Sequence, residues 1–164
     1  MMTERILLVG VEPGQSPTVL EAVIELAEAT GAKIMCLYAD SGRFVTERLP
    51  TGEIVEDTTF DGDEQFQQDF SAALAEQLSQ AFAGTKVSWA ARTVAGDPAK
   101  ALMRVADELN AQLIAIGTRR PGLRSRMEEL MDGSIAVALA HRQSRPVLVV
   151  PQVPGFFEAQ SARS

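Results

Sequence analysis

Scarcity narrows this chain before any pattern does. Its 164 residues hold a single cysteine, Cys36, so no internal disulfide can form, and nothing in its cysteine usage points outside the cell. One histidine, His141, leaves little for acid–base catalysis. It falls near the end of a helical pattern, where a polar or cationic cap is the ordinary role. No apolar run is long enough to span a bilayer, and the first residues lack the apolar core of a signal peptide, so a cytoplasmic home and no membrane partner are expected. The full dinucleotide glycine fingerprint and the phosphate-loop lysine motif are both absent.

Positive charge is also in short supply. Fifteen basic residues against twenty-two acidic give a net charge of −7, a surface that a phosphate backbone would repel, and nucleic acid is not expected as a partner. The exception is local: Arg119, Arg120, Arg124 and Arg126 fall within eight positions. Such a cluster suits a small anion, and it equally suits a solvated loop.

What is present is an alternation of buried strands and amphipathic helices. Ile6 to Val11 is a continuous apolar run, the pattern of a strand covered on both faces. Ser16-Pro17 then supplies an N-cap and a first-turn proline, Val19, Leu20, Val23, Leu26 and Ala27 recur at helical spacing, and Gly31 closes the helix. Ile34 to Tyr38 is a second strand. From Ser41 to Gly62 the pattern loosens. A hairpin pairing 43–49 with 53–59 around Pro50-Thr51-Gly52 competes there with a disordered lid. Phe66, Phe70, Ala73, Leu74, Gln77, Leu78 and Ala81 place an apolar stripe on the next helix. Val87 to Val94 reads as the third strand. Gly96-Asp97-Pro98 starts a helix whose buried face is Leu102, Val105, Ala106 and Leu109, and Leu113 to Gly117 is the fourth strand. A last helix to about Ala140 precedes Val147 to Val150, a fifth strand between Pro146 and Pro151. One domain over 1–154 and a frayed tail over 155–164 are expected. Cys36, among apolar neighbours, is expected to be an inert core thiol.

This order demands a parallel sheet with helices on both faces, an α/β fold in which ligands sit beyond the carboxyl ends of the strands. The loops after Val11, Tyr38 and Gly117 would surround one crevice.

Three stretches resemble the universal stress protein family: Ile6 to Pro17; Gly96-Asp97-Pro98-Ala99 through Asp107 to Gly117-Thr118; and Gly133-Ser134 through His141 to Arg145-Pro146-Val147-Leu148-Val149-Val150-Pro151. The resemblance implies a five-stranded parallel sheet in the order 3-2-1-4-5, a Rossmann-like arrangement of the adenine nucleotide alpha hydrolase-like kind. It also implies a homodimer through Val147 to Val150, against which stands an edge already blunted by its two prolines.

For function, the resemblance implies an adenine nucleotide (ATP with Mg, AMP or cyclic AMP) bound by a stress-response or regulatory protein. Glycines that let phosphate approach would be Gly117 and Gly133, with Ser134 and Ile135 at the following helix start. The match is incomplete between them. Arg120 stands where the family pattern has its middle glycine, Gly122 is the nearest substitute, and the loop is about three residues longer, with Met127 to Asp132 reading as an added, acidic helical turn. Thr118, Arg119 and Arg120 would compensate by contacting phosphate directly. Glu12, beside Val11, replaces the family's usual aspartate and would accept a ribose hydroxyl. Tyr38 would stack on the base or simply cover the sheet. No residue is an evident catalyst, and slow ATP hydrolysis is the most that the resemblance allows. The alternative is a dimeric module with an empty crevice that acts through a protein partner, its segment from Ser41 to Gly62 being the recognition element.

Overall fold

The computed structural model describes residues 3–40, 58–60, 72–118 and 134–152. Strand β1 (Ile6–Gly10) leads through α1 (Pro17–Thr30) to β2 (Lys33–Asp40). After β3 (Thr58–Phe60) come α2 (Ala72–Phe82), β4 (Trp89–Ala95), α3 (Pro98–Leu109), β5 (Leu113–Gly117), α4 (Ser134–Arg142) and β6 (Val147–Val150). The sheet runs β3-β4-β2-β1-β5-β6. All pairings are parallel except that of β3 with β4. The five parallel strands therefore follow the expected 3-2-1-4-5 order. The sixth, β3, is an addition at the end of the 53–59 arm of the possible hairpin: Thr58 and Thr59 pair antiparallel with Thr93 and Arg92 of β4. The proposed partner segment 43–49 lies outside the described residues, as do Phe66, Phe70, the turn at 127–132 and the tail.

The helix starts behave as their caps dictate. The Ser16 side chain accepts from the Thr18 amide ahead of Pro17, and Gly31 ends α1 in the left-handed region at φ 71°. Asp97 accepts from the Lys100 amide at 2.9 Å ahead of Pro98. Asn110 closes α3 at φ 50°, a conformation asparagine tolerates better than most residues. His141 and Arg142 occupy the last turn of α4, as a helix C-terminus favours.

Each sheet face has its own core. Val19, Val23 and Ala27 of α1 and Leu74, Leu78 and Phe82 of α2 cover Leu7, Val9, Ile34 and Cys36. Leu102, Val105 and Ala106 of α3 and Leu139 of α4 cover Leu8, Leu37, Val94 and Ile114. On α1 the buried set takes in Ile24 as well, with Leu26 only partly buried. On α2 the stripe is rotated relative to expectation: Ala75 is buried and Ala73 exposed. Cys36 is fully enclosed, and burial pushes its thiol well above the ordinary range. An aromatic disulfide reagent should leave native protein unlabelled at neutral pH and react with one thiol per chain in denaturant. Rapid labelling of the folded protein would contradict the inert-thiol reading.

An ion-pair group centred on Glu108 fastens α3 to β4. Glu108 receives Arg92 of β4 at 2.8 Å and Arg104 at 3.0 Å, and chiefly the Arg92 hydrogen bond, with the charges of both arginines, holds its carboxyl below the usual carboxylate value against the opposing effect of desolvation. A carboxyl with a lowered folded pKa stabilises fully above its unfolded value, roughly pH 4.3, and loses that contribution as pH falls through the folded value. Glu108 is largely solvated, so the effect is modest. Urea midpoints of the wild type and Glu108→Gln should differ at pH 7 and converge below about pH 4. A gap that persists in acid would mean that Glu108 contributes by packing.

Candidate functional site

Helix α1 packs on one face of the sheet and α3 on the other, so the chain reverses its winding between β1 and β5. The crevice of such a sheet lies there, outside the carboxyl ends of the strands. Val11 extends β1 by donating its amide to the Leu37 carbonyl at 2.9 Å, and the chain then turns through Glu12 to Ser16.

Three glutamines hold that turn. Gln77 of α2 accepts from the Gly14 amide at 3.0 Å and donates to the Glu12 carbonyl at 3.4 Å. Gln15 donates its side-chain amide to the Gly10 carbonyl at 3.1 Å, while its own Oε1 is buried with no partner among the described residues. Gln152, two residues past β6, accepts from the Ser16 amide at 2.8 Å. Gln15 and Gln152 are the two buried polar residues among the described ones, at 6 % and 5 % exposure. Burial of this kind is costly without partners, so both are placed for a local reason.

The exit of β5 is tied to the same side chain. The Thr118 amide donates to the Val150 carbonyl at 2.9 Å, and its hydroxyl accepts from the Gln152 amide at 2.8 Å. Its carbonyl accepts from Gln152 Nε2. The bare Cα of Gly117 is used by this packing. A Cβ there would meet Gln152 Cδ and Val19 Cγ2, each at 2.9 Å. The space kept free by the missing side chain is thus occupied by the chain itself.

Of the residues singled out in the sequence, Val11, Glu12, Gly117 and Thr118 border this crevice. Tyr38, on β2, is half-buried and packs against the α1/α2 core; it stands opposite Thr93 of β4, whose buried hydroxyl has no partner among the described residues. Ile135 packs against the α3/α4 core. Ser134 is the first residue of α4. Arg119, Arg120, Gly122 and Gly133 lie outside the described residues. Among the described residues no three acidic, histidine or cysteine side chains group to hold a metal. No helix of the described residues is long and apolar enough to cross a membrane.

Gln15 and Gln152 did not stand out in the sequence, and Gln77 did so only as a member of an apolar stripe. The available signal was a polar residue at each junction: Gln15 before the Ser16-Pro17 cap, and Gln152 immediately after the prolines and valines of the last strand.

A winding reversal between β1 and β5 defines a doubly wound α/β fold, with its crevice at the carboxyl ends of those strands. The model of the universal stress protein family matches residues 2–151, and the chain belongs to that family. Solved structures agree in fold. A universal stress protein in complex with cAMP is 24 % identical, with a TM-score of 0.58, covering 92 % of this chain and 98 % of that one. One from Archaeoglobus fulgidus in complex with dAMP is 18 % identical, with a TM-score of 0.58 and coverage of 91 % and 99 %. A family member from Burkholderia pseudomallei is 24 % identical, with a TM-score of 0.58 and coverage of 91 % and 97 %. No curated protein sequence matches the chain.

Proposed function

We propose that this protein is an adenine-nucleotide-binding member of its family, taking ATP, AMP or cyclic AMP into the crevice between β1 and β5 in a cytoplasmic stress-response or regulatory role. The observation that carries the reading is the family fold with Glu12, Gly117 and Thr118 at the carboxyl ends of its two central strands. The cAMP and dAMP complexes of structures with this fold support it. In this reading Glu12 receives ribose hydroxyls and Tyr38 lies toward the base. Thr118, Arg119, Arg120, Gly122 and the Gly133-Ser134-Ile135 helix start face the phosphates, with magnesium accompanying ATP. The protein pairs as a homodimer through the outer edge of β6, where Val149 is 41 % exposed. Calorimetry with ATP, AMP and cyclic AMP tests the ligand. Heat with micromolar to millimolar affinity is expected, and none at millimolar ligand with any of the three would overturn the reading.

A second reading, a dimeric module acting through a protein partner without nucleotide, draws support from one observation: Gln152 fills the space at Gly117. Silent calorimetry would leave this reading standing.

A further inference from the structure

We propose that Gln152 is a displaceable plug, an intramolecular competitor that holds the phosphate-facing side of the crevice until an adenine nucleotide takes its place; the inference rests on the nucleotide reading above. Its side chain offers an acceptor and a donor on one rigid amide. Oε1 takes the Ser16 amide at 2.8 Å, at the N-cap of α1, where helix amides attract an anionic oxygen. Nε2 donates to the Thr118 carbonyl, as a ligand hydroxyl would. The same side chain packs against the bare Cα of Gly117. One glutamine therefore satisfies groups from both walls of the crevice, the α1 start and the β5 exit.

Two features make the plug releasable. All its side-chain bonds are between neutral groups, which contribute less than charge-assisted bonds to phosphate. Next to Ser16 in the chain, Gln15 Oε1 is buried with no partner among the described residues. A closed state that leaves an acceptor unsatisfied is disfavoured against an open state in which a ligand donor reaches it. Because the plug and the ligand exclude each other, apparent affinity is the intrinsic affinity reduced by the fraction of molecules with Gln152 released.

The test compares AMP binding to the wild type and Gln152→Ala by calorimetry, with side-chain amide signals followed by NMR. Affinity should rise about tenfold or more in the variant if Gln152 is released in a tenth of wild-type molecules or fewer. AMP should move the wild-type Gln152 side-chain amide signals toward their solvent-exposed positions. Equal affinities with unmoved signals would overturn the plug and leave the nucleotide reading intact. Weaker binding by the variant would overturn it too, making Gln152 a ligand contact. Absence of heat with both proteins would overturn the nucleotide reading and the plug together. Should the alanine variant fold poorly by circular dichroism, Gln152→Asn, one methylene too short to span Ser16 and Thr118, replaces it with the same outcomes.

Discussion

Replacing Leu8 with alanine is expected to cost about 2–5 kcal/mol of stability, the range for emptying a fully buried leucine site. Leu8 is wholly enclosed in β1, paired in register with Met35 on β2 and Ile114 on β5, and packed into the α3/α4 core. Its flanking neighbours Met35 and Ile114 are held in hydrogen-bonded strands, which limits collapse into the space. The cavity term therefore adds to the lost transfer energy. The urea midpoint should fall while the slope stays near the wild-type value, since a cavity changes stability without changing the surface exposed on unfolding. Val137→Ala on α4 is the control. Val137 is 55 % exposed, and its loss should stay within about 0.5 kcal/mol. A Leu8→Ala midpoint indistinguishable from that control would contradict the enclosed position of β1.

Gly117→Ala is expected to destabilise by about 1–3 kcal/mol, the cost of forcing one carbon into packed space. The new Cβ would lie 2.9 Å from both Gln152 Cδ and Val19 Cγ2. Val19 is fully buried on α1 and cannot withdraw freely. Gln152 can swing away only by giving up Ser16 and Thr118. Gly10→Ala supplies the matching control at the end of β1, because a Cβ there meets Ile116 and Leu102 at 3.5 and 3.6 Å, ordinary contact. Thermal melts should separate the two by several degrees, since about 1 kcal/mol corresponds to roughly 2–4 °C in a domain of this size. If the two alanine variants melt together, Gly117 is not packed as described.

Both substitutions bear on how much of the molecule could be read from its residues. The signature stretches that carry the family resemblance act here largely as fold devices. Asp97 caps α3. Asp107, on the same helix, pairs with Arg145 at 2.7 Å, and Arg145 also donates to the Ala111 carbonyl at 2.7 Å, fixing the entry to β6. Those roles are local or join elements that the order of strands already makes neighbours, and so the fold was legible. The pairing of β3 with β4 was not. Three residues, Thr58 to Phe60, carry too little alternation to reveal a partner.

The candidate site divides in the same way. The strand ends at Val11 and Gly117 were recognisable because a strand's carboxyl end is marked by where its apolar run stops, and Glu12 and Thr118 stood out through the family resemblance. The glutamines had no such mark. A glutamine's role depends on what reaches its amide, and for Gln152 that partner, Ser16, is 136 positions away. For Gln77 the partner Gly14 is 63 positions away.

Hydrophobic periodicity, caps and prolines by themselves determined the alternation of elements and hence the parallel sheet, because those signals act over a few residues and burial enforces them. Only the tertiary structure decided what occupies the space beside Gly117. The amino-acid sequence shows a missing side chain there, and packing brought Gln152 from the far end of the chain to fill it.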